Sequence, residues 1–390
     1  MTGILNCVER NGELVLRGDL GDCMDALWEH RTATTIVVEF FENMSETECL
    51  MLFAILAGYS TMTSLRVSSL MDKNKLPIKA LKALLRNPSV RLDSLHLDTI
   101  KLTGDIKDYL VFVESLRLCS LRSVRLEDCE FEDPTIALDP LIRGLATIPT
   151  LEHVSLARTK LAPVGIVWNC QCLFPLLPQV RSLTLEEMPD FKTNTICLLA
   201  LAIEDPSCAL KELKILKHRL TRKSIAYIGR MLCKTQSLQD FTLEVKNCRQ
   251  VIQLAKDLTN NIQSSSLRCL HFPGEWGASR ESDYISGLRR AMIDMLQIQV
   301  QLKKITLGDR KCGLSRELAR YVKMNQQNEQ AIREFGRKRE SLVCKQKVLR
   351  RSTSTKQEGT DPYSYYYDYS KSLLSGLFHP PEKRVRFRVD

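Results

Sequence analysis

The sequence predicts an α/β solenoid, a fold built from repeated strand–helix units, and three observations support this fold class. A short apolar pattern suited to a strand occurs many times along the chain. The distance between its copies is nearly constant. Between the copies, apolar residues are spaced as on one face of a helix. Together these observations predict parallel strands that stack side by side, with a helix leading from each strand to the next.

The strand pattern is an apolar residue, two others, a second apolar residue, one other and a third apolar residue. The copies, of which the first and last are weaker, are Met62, Leu65, Val67; Leu92, Leu95, Leu97; Leu121, Val124, Leu126; Leu151, Val154, Leu156; Val180, Leu183, Leu185; Leu210, Leu213, Ile215; Leu238, Phe241, Leu243; Leu267, Leu270, Phe272; and Leu302, Ile305, Leu307. The middle residues are 28 to 30 positions apart, except for a last step of 35. Strands and helices of an ordinary α/β protein would not keep such a period.

Between the strands, apolar residues recur at three- and four-residue intervals, as in Ile225, Ile228 and Leu232. Ser45 and Glu48 have the spacing of a capping box, which marks the start of another helix. Each unit is therefore a strand followed by a helix. Because one unit cannot bury both its strand face and its helix face, the units must stack.

Over about residues 35 to 327 this pattern resembles the leucine-rich-repeat family, in its long-repeat, ribonuclease-inhibitor type. The segment IPTLEHVSL at 148–156 is similar to that family's helix exit and strand. The resemblance implies a horseshoe with parallel strands on its concave face and helices on its convex face. The chain departs from the family after the strand, where Asn or Cys is usual: Cys129 fits, but the equivalent positions hold Ile100, Thr159, Met188 and His218.

We expect four regions along the chain. Residues 1–60 form an N-terminal capping region with strands at 14–16 and 36–40 and a helix at 49–56, because a solenoid needs end units that shield its core. Residues 61–327 form the solenoid of about nine units. Residues 328–351 form a basic polar helix or linker. Residues 352–390 have a composition that cannot build a core, and they form a disordered tail.

The net charge of +10 is carried by the C-terminal part of the chain. From Arg310 onward there are 19 Lys and Arg against 9 Asp and Glu, which leaves 37 against 37 in residues 1–309. Attraction to nucleic acid or to an anionic surface is therefore expected of the tail, not of the repeats.

The remaining composition predicts a cytoplasmic or nuclear protein without a membrane span. There is no apolar run of membrane-spanning length and no secretory signal pattern at the N-terminus. The 14 cysteines are scattered without a CxxC pair, and the six histidines lie far apart, so we expect reduced thiols and no metal site or cofactor. The sequence also lacks a P-loop, a dinucleotide-binding glycine motif, a GxSxG elbow and an HExxH motif, so we expect a protein that is not an enzyme.

The residues that alternate with the buried strand positions should line the concave face. The candidate binding residues there are His96, Asp98, Arg125, Glu127, His153, Ser155, Thr184, Glu186, Lys214, Thr242 and Glu244. Acidic residues recur where strands end. Two interpretations stay open: a groove for a protein with basic side chains, or an ordinary solvated surface. Nucleic acid is disfavoured on this face, because it would prefer a basic wall with aromatic residues.

The segment Lys383, Arg384, Val385, Arg386, Phe387 resembles the RVxF motif that docks regulatory proteins onto the catalytic subunit of protein phosphatase 1. Such a segment adds a strand to a sheet edge while Val385 and Phe387, two positions apart, fill apolar pockets. The docking residues implied by the resemblance are Lys383, Arg384, Val385 and Phe387. The alternatives are a basic cluster for nuclear import or phosphate binding, or no role.

These observations predict a non-catalytic adaptor whose solenoid binds a protein on its concave face and whose tail recruits protein phosphatase 1. One alternative is a ribonuclease-inhibitor-like regulator or substrate receptor that uses the solenoid alone. Another is association of the basic tail with nucleic acid or an anionic surface, which would weaken steeply with salt.

Overall fold

The computed structural model describes residues 7–10, 12–40, 44–69, 74–118, 120–133, 138–161, 170–189, 191–260, 266–274, 282–298, 301–308, 314, 316–327 and 330. The chain divides into two units, Met1–Gln330 and Ala331–Asp390. All described residues belong to the first unit. Of the predicted linker at 328–351 the structure describes only Gln330. The rest of it, the predicted tail and its docking-like residues lie outside the described residues.

Strands and helices alternate through most of the described chain. The strands are β1 Cys7–Arg10, β2 Glu13–Leu16, β3 Thr35–Phe40, β4 Ser64–Ser69, β5 Asn74–Pro77, β6 Ser94–Asp98, β7 Ile100–Thr103, β8 Ser123–Glu127, β9 Glu130–Phe131, β10 His153–Ala157, β11 Ser182–Glu186, β12 Glu212–Leu216, β13 Asp240–Leu243, β14 Cys269–Phe272 and β15 Lys304–Leu307. The helices are α1 Leu20–Glu29, α2 Glu46–Ala57, α3 Ile78–Arg86, α4 Ile106–Ser115, α5 Asp139–Leu145, α6 Thr193–Ile203, α7 Arg222–Lys234, α8 Cys248–Asn260 and α9 Ser282–Ile298.

The main sheet has the strand order β1-β2-β3-β4-β6-β8-β10-β11-β12-β13-β14-β15, so its strands follow chain order. Among these described strands only β1 and β2 are antiparallel; the strands from β2 to β15 are all parallel. A second, three-stranded sheet, β5-β7-β9, is formed by the segments that follow three of the main strands. The expectation of an α/β protein with a large, repeat-like parallel sheet is confirmed.

The apolar pattern forms the core. In the third repeat, Leu121 precedes β8 while Val124 and Leu126 lie within it, and all three are buried. Parallel pairing aligns equivalent positions, so Val124 lies opposite Leu95 on one side and Val154 on the other. A continuous apolar cluster runs from Leu14 to Val322 and includes the buried faces of the helices. Each repeat thus completes the core of its neighbour, as the stacking argument requires.

Helix starts follow local capping chemistry. The predicted capping box is present at α2, where the Ser45 hydroxyl accepts from the Glu48 amide at 3.3 Å and the Glu48 carboxylate accepts from the Ser45 amide at 2.8 Å. Between β10 and β11 the structure describes residues 158–161 and 170–181, and the helical segment among these residues is not an α-helix. There a 3₁₀ helix, Gln171–Leu176, contains Pro175, whose missing N–H is incompatible with an α-helix interior.

The turn after the strand is regular although its sequence is not. The position where the family usually has Asn or Cys is buried in five successive repeats, at Ile100, Cys129, Thr159, Met188 and His218. The residue before it has a positive φ of 47° to 58° in each repeat, at Thr99, Asp128, Arg158, Glu187 and Lys217. The departures from the family pattern therefore change which side chain fills the turn and leave the backbone conformation unchanged.

Ten described cysteines are free thiols, and eight of them are buried. The eight buried ones pack as small apolar side chains in the core. In the part of the chain that the structure describes, no helix combines the length and the apolar character needed to cross a membrane.

Candidate interaction face of the parallel sheet

The polar side of the main sheet, here called the open face, consists of the strand residues that alternate with the buried ones. Because the strands are parallel and aligned, these residues form rows across the sheet. The middle row is Arg66, His96, Arg125, Ser155, Thr184, Lys214, Thr242, His271 and Thr306. The entry row, nearer the strand starts, is Ser64, Ser94, Ser123, His153, Ser182, Glu212, Asp240, Cys269 and Lys304. The exit row, nearer the strand ends, is Ser68, Asp98, Glu127, Ala157, Glu186 and Leu216, of which Ser68 and Ala157 are buried.

The eleven candidate residues predicted for this face are all half-buried or exposed. Six of them share the middle row: His96, Arg125, Ser155, Thr184, Lys214 and Thr242. Asp98, Glu127 and Glu186 lie in the exit row, and His153 lies in the entry row. Glu244 follows the last residue of β13. The structure thus brings these residues onto one surface; what they bind stays a prediction.

The exit-row acid Glu127 is the centre of an ion network. Its Oε1 accepts a 2.6 Å hydrogen bond from Nη2 of Arg158, and its Oε2 accepts a 2.6 Å bond from Nη2 of Arg125. Burial of the side chain opposes ionisation, but these two guanidinium groups outweigh it, so the pKa of Glu127 lies below its usual range. Glu127 therefore stays ionised and bound within its own chain at neutral pH.

The neighbouring exit-row acids are paired in the same way. Oδ2 of Asp98 lies 2.9 Å from Nη2 of Arg66, and Oε1 of Glu186 lies 2.7 Å from Nζ of Lys217. Asp98, Glu127 and Glu186 are thus already neutralised by nearby cations. A partner with basic side chains would have to displace these cations, which makes a purely acidic groove a poor description of this face.

His96 lies between these ion pairs. Its Nε2 is 3.6 Å from Oε2 of Glu127, and this nitrogen is buried without a hydrogen-bond partner. Burial lowers the pKa of His96, and the nearby Arg125 and Arg66 lower it further. The imidazole is consequently neutral at physiological pH.

The centre of the open face is a shallow depression of about 320 Å³. It is lined by small hydroxyl side chains with charged groups at its edge, namely Ser123, Ser155, Ser182 and Thr184, with Arg125, His153, Glu186 and Lys214. Oγ of Ser182 donates a 2.7 Å hydrogen bond to Glu212, which also contacts Nζ of Lys214 at 2.7 Å. The depression therefore offers short hydroxyl groups between fixed charges, all of which can form hydrogen bonds.

Near β15 the open face brings together a carboxylate, a thiol and an imidazole. Asp240, Cys269 and His271 lie on β13 and β14, and their ligand-type atoms are all within 4.8 Å of one another. Nδ1 of His271 is 2.6 Å from Oγ1 of Thr306 on β15. Burial and the adjacent Asp240 carboxylate raise the pKa of the Cys269 thiol to about 11.

Sequence reasoning missed two groups of residues on this face. Arg158 and Lys217, which neutralise the exit-row acids, lie just after the strands, in the left-handed turn position. No alternation pattern reaches that position. Cys269 and His271, in contrast, alternate with Leu270 and Phe272. Extending the strand argument to this copy of the pattern would have placed both on the open face.

Neither a scan of protein-family models nor a search of curated proteins finds a match for this chain.

Proposed function

We propose that this protein is a non-catalytic interaction scaffold, a leucine-rich-repeat solenoid of the ribonuclease-inhibitor type that binds a protein partner on its open face. In this proposal the open face is the concave wall of a horseshoe. The observation that carries it is the in-register middle row, in which nine successive parallel strands each contribute one partly or fully exposed side chain.

The size of the face supports a protein ligand. Nine strands about 4.8 Å apart, each about 17 Å long, present on the order of 700 Å² of surface. A standard protein–protein interface uses about 800 Å² from each partner. The open face with its flanking turns therefore supplies an area of the right order, whereas the shallow central depression would enclose little of a small molecule.

The charge states of the central residues support binding without catalysis. General acid–base catalysis works best with a group whose pKa is near the working pH. Here the pKa values of His96 and Glu127 are both lowered, so at neutral pH the imidazole stays neutral and the carboxylate stays ionised. Glu127 is also fully engaged by two arginines. Such fixed charges suit the positioning of a partner better than proton transfer.

The test is a substitution that fills the face without disturbing the core. Thr184→Arg puts a long cation in the centre of the depression, and Asn194→Arg puts the same cation on the exposed side of α6. Both purified variants should remain folded. In affinity capture from cell extract read by mass spectrometry, Asn194→Arg should retain the partners of the unmodified protein and Thr184→Arg should lose them. Equal recovery by both variants would contradict binding at the open face.

The C-terminal segment supports a second half of the proposal, recruitment of the catalytic subunit of protein phosphatase 1. The full chain should bind the purified catalytic subunit, and Val385→Ala with Phe387→Ala should abolish binding. Val389→Ala, the same change two positions after Phe387, is the matched control. No binding by the intact chain would leave the solenoid-only regulator or receptor as the remaining protein-binding function.

The alternative role of the tail gives a separate result. Binding to DNA or to anionic vesicles through the basic residues should weaken steeply as salt rises, because it depends on release of counterions. It should be insensitive to the loss of the Phe387 ring. A salt-sensitive association that survives Phe387→Ala would therefore favour an anionic surface over the phosphatase.

A further inference from the structure

The end of the open face near β15 brings together three side chains of the types that bind transition metals. Asp240 lies directly opposite Cys269 in the parallel pairing of β13 and β14, and His271 is two residues beyond Cys269 on the same face. Their carboxylate, thiol and imidazole atoms lie within 4.8 Å of one another. The ligands of a tetrahedral zinc ion are about 3.5 Å apart, so small side-chain rotations would close this group around an ion.

We propose that Asp240, Cys269 and His271 form a three-ligand site for a divalent ion of the zinc class, with the fourth coordination position open toward the solvent side of the sheet. The mixture of sulfur, nitrogen and oxygen ligands selects the ion. Magnesium and calcium take oxygen ligands, whereas zinc accepts thiolate, imidazole and carboxylate together. A coordinating thiol loses its proton to such an ion, so the raised pKa of Cys269 in the metal-free protein does not prevent ligation.

The surroundings of His271 support this assignment. Zinc-binding histidines almost always use their second ring nitrogen in a hydrogen bond that fixes the ring. Here Nδ1 of His271 is 2.6 Å from Oγ1 of Thr306 on the next strand. With the proton on Nδ1, the Thr306 hydroxyl accepts this bond and Nε2 presents its lone pair. The ligands also lie on hydrogen-bonded strands, which restrains their backbone positions.

The open face carries a second cluster of possible metal ligands, and its surroundings explain why the cluster of Asp240, Cys269 and His271 is the better metal site. His96, Asp98 and Glu127 also bring their ligand-type atoms within 4.8 Å of one another. Both carboxylates there are bound by arginines, Asp98 by Arg66 and Glu127 by Arg125 and Arg158. A metal ion would have to displace three guanidinium groups. At the other cluster the Asp240 carboxylate contacts the Cys269 thiol, a proton donor that a metal ion replaces directly.

The experiment uses cobalt as a coloured substitute for zinc. The full-length protein, freed of metal by a chelator, is titrated with Co²⁺ and followed by absorption spectroscopy. A bound thiolate gives a near-ultraviolet charge-transfer band, and Zn²⁺ should remove it by displacement. Cys269→Ser should abolish the band, and His271→Gln should weaken cobalt binding by more than tenfold. Thr306→Val should weaken it by about tenfold, because a lost hydrogen bond to a liganding histidine costs about 10- to 100-fold in affinity.

Two matched variants separate this site from other sources of binding. Cys248→Ser removes another half-buried free cysteine, and His96→Gln removes the histidine of the competing cluster. Both should retain the full band, and circular dichroism should show every variant to be folded. A band that persists in Cys269→Ser, or that disappears in Cys248→Ser, would overturn the proposal. Failure of the unmodified protein to bind cobalt would overturn it as well.

Discussion

Arg158 and Glu127 are joined by a 2.6 Å hydrogen bond between Nη2 and Oε1, although they are 31 residues apart and belong to successive repeats. Arg158 has a φ of 47°, which is the left-handed conformation of the turn after β10. From this turn its guanidinium reaches back to the end of β8. The contact therefore links the backbone conformation of one repeat to the charge of the preceding one.

Replacement of Glu127 by Gln should lower the free energy of unfolding at pH 7 by about 1 kcal/mol, because two charged hydrogen bonds are lost to partly exposed arginines. Glu132→Gln, which removes an ion pair between two more exposed side chains, should have a smaller effect. Because folding lowers the pKa of Glu127, the stabilisation is present above its unfolded value of 4.5 and is lost as the pH falls through the folded value. Urea unfolding should show the difference between the two proteins shrinking below pH 4.5.

His218 should make the protein less stable in mild acid. The ring is buried in the turn after β12, bonds to the carbonyl of Leu185 and has an Nε2 without a hydrogen-bond partner. Burial lowers its pKa from 6.5 to about 4, so the folded state binds fewer protons than the unfolded state in this interval. Above pH 6.5 this histidine does not reduce the stability of the protein. As the pH falls from 6.5 toward 4, preferential protonation of the unfolded state lowers the free energy of unfolding by about 3 kcal/mol in total.

The variant His218→Gln tests this origin, since it keeps a hydrogen-bond donor but cannot titrate. Thermal unfolding between pH 7 and pH 4 should show a shallower decline for this variant than for the unmodified protein. His153→Gln, at an exposed position of the open face, should preserve the full decline. An identical decline in His218→Gln would assign the acid sensitivity to other groups.

Two helical glycines should respond in opposite directions to alanine. A Cβ at Gly229 of α7 would lie 2.8 Å from Cβ of Asp257 on α8, so Gly229→Ala should separate the helices and lower the free energy of unfolding by about 1–3 kcal/mol. Among the described residues, a Cβ at Gly287 of α9 meets only Cδ1 of Ile252, at 3.7 Å. Gly287→Ala should raise the free energy of unfolding by about 0.5–1 kcal/mol through better helix propensity. Urea midpoints that move in the same direction for both variants would contradict this interpretation of the helix spacing.

The left-handed turn after β11 gives a conformational test. Glu187 in this turn is exposed and has a φ of 48°. Glycine adopts this conformation without the cost of a Cβ, so Glu187→Gly should leave stability unchanged or raise it by up to about 1 kcal/mol. Glu187→Val should lower it, because a branched side chain is strained at positive φ. Lys211→Gly, just before β12 and without a positive φ, should lower stability; thermal melting of the three variants distinguishes these outcomes.

The sequence predicted the main-sheet strands from β2 onward because the information is local. It did not predict β1 or the second sheet β5-β7-β9, which lie outside the repeated pattern. Leu95, which pairs with Val124, alternates along its strand with polar residues, so one side of the strand is apolar and is buried. The same alternation recurs from repeat to repeat. The capping box at Ser45 was predictable for the same reason, since its partner is three residues away. The 3₁₀ helix Gln171–Leu176 was not foreseen, although Pro175 itself was the available signal.

For the candidate site, the sequence predicted which residues lie on the open face but not the contacts among them. The alternation placed His96, Arg125 and Thr184 on the polar side of the sheet, where the structure has them. It could not show that Glu127 is bound by Arg158, since that contact depends on a left-handed turn formed by a residue other than glycine. It also could not bring together the residues that we propose as metal ligands, because Asp240 and Cys269 are distant in the chain and are neighbours only across two paired strands.

By itself, the sequence determined the period, the identity of the main-sheet strands from β2 onward, the side of each repeat strand that is buried and the neutral charge balance of the repeats. The tertiary structure decided which polar residues meet. A period near 29 residues brings equivalent positions to about 4.8 Å from one another only after the strands have stacked, and pairing across strands then sets the charges and hydrogen bonds of the open face.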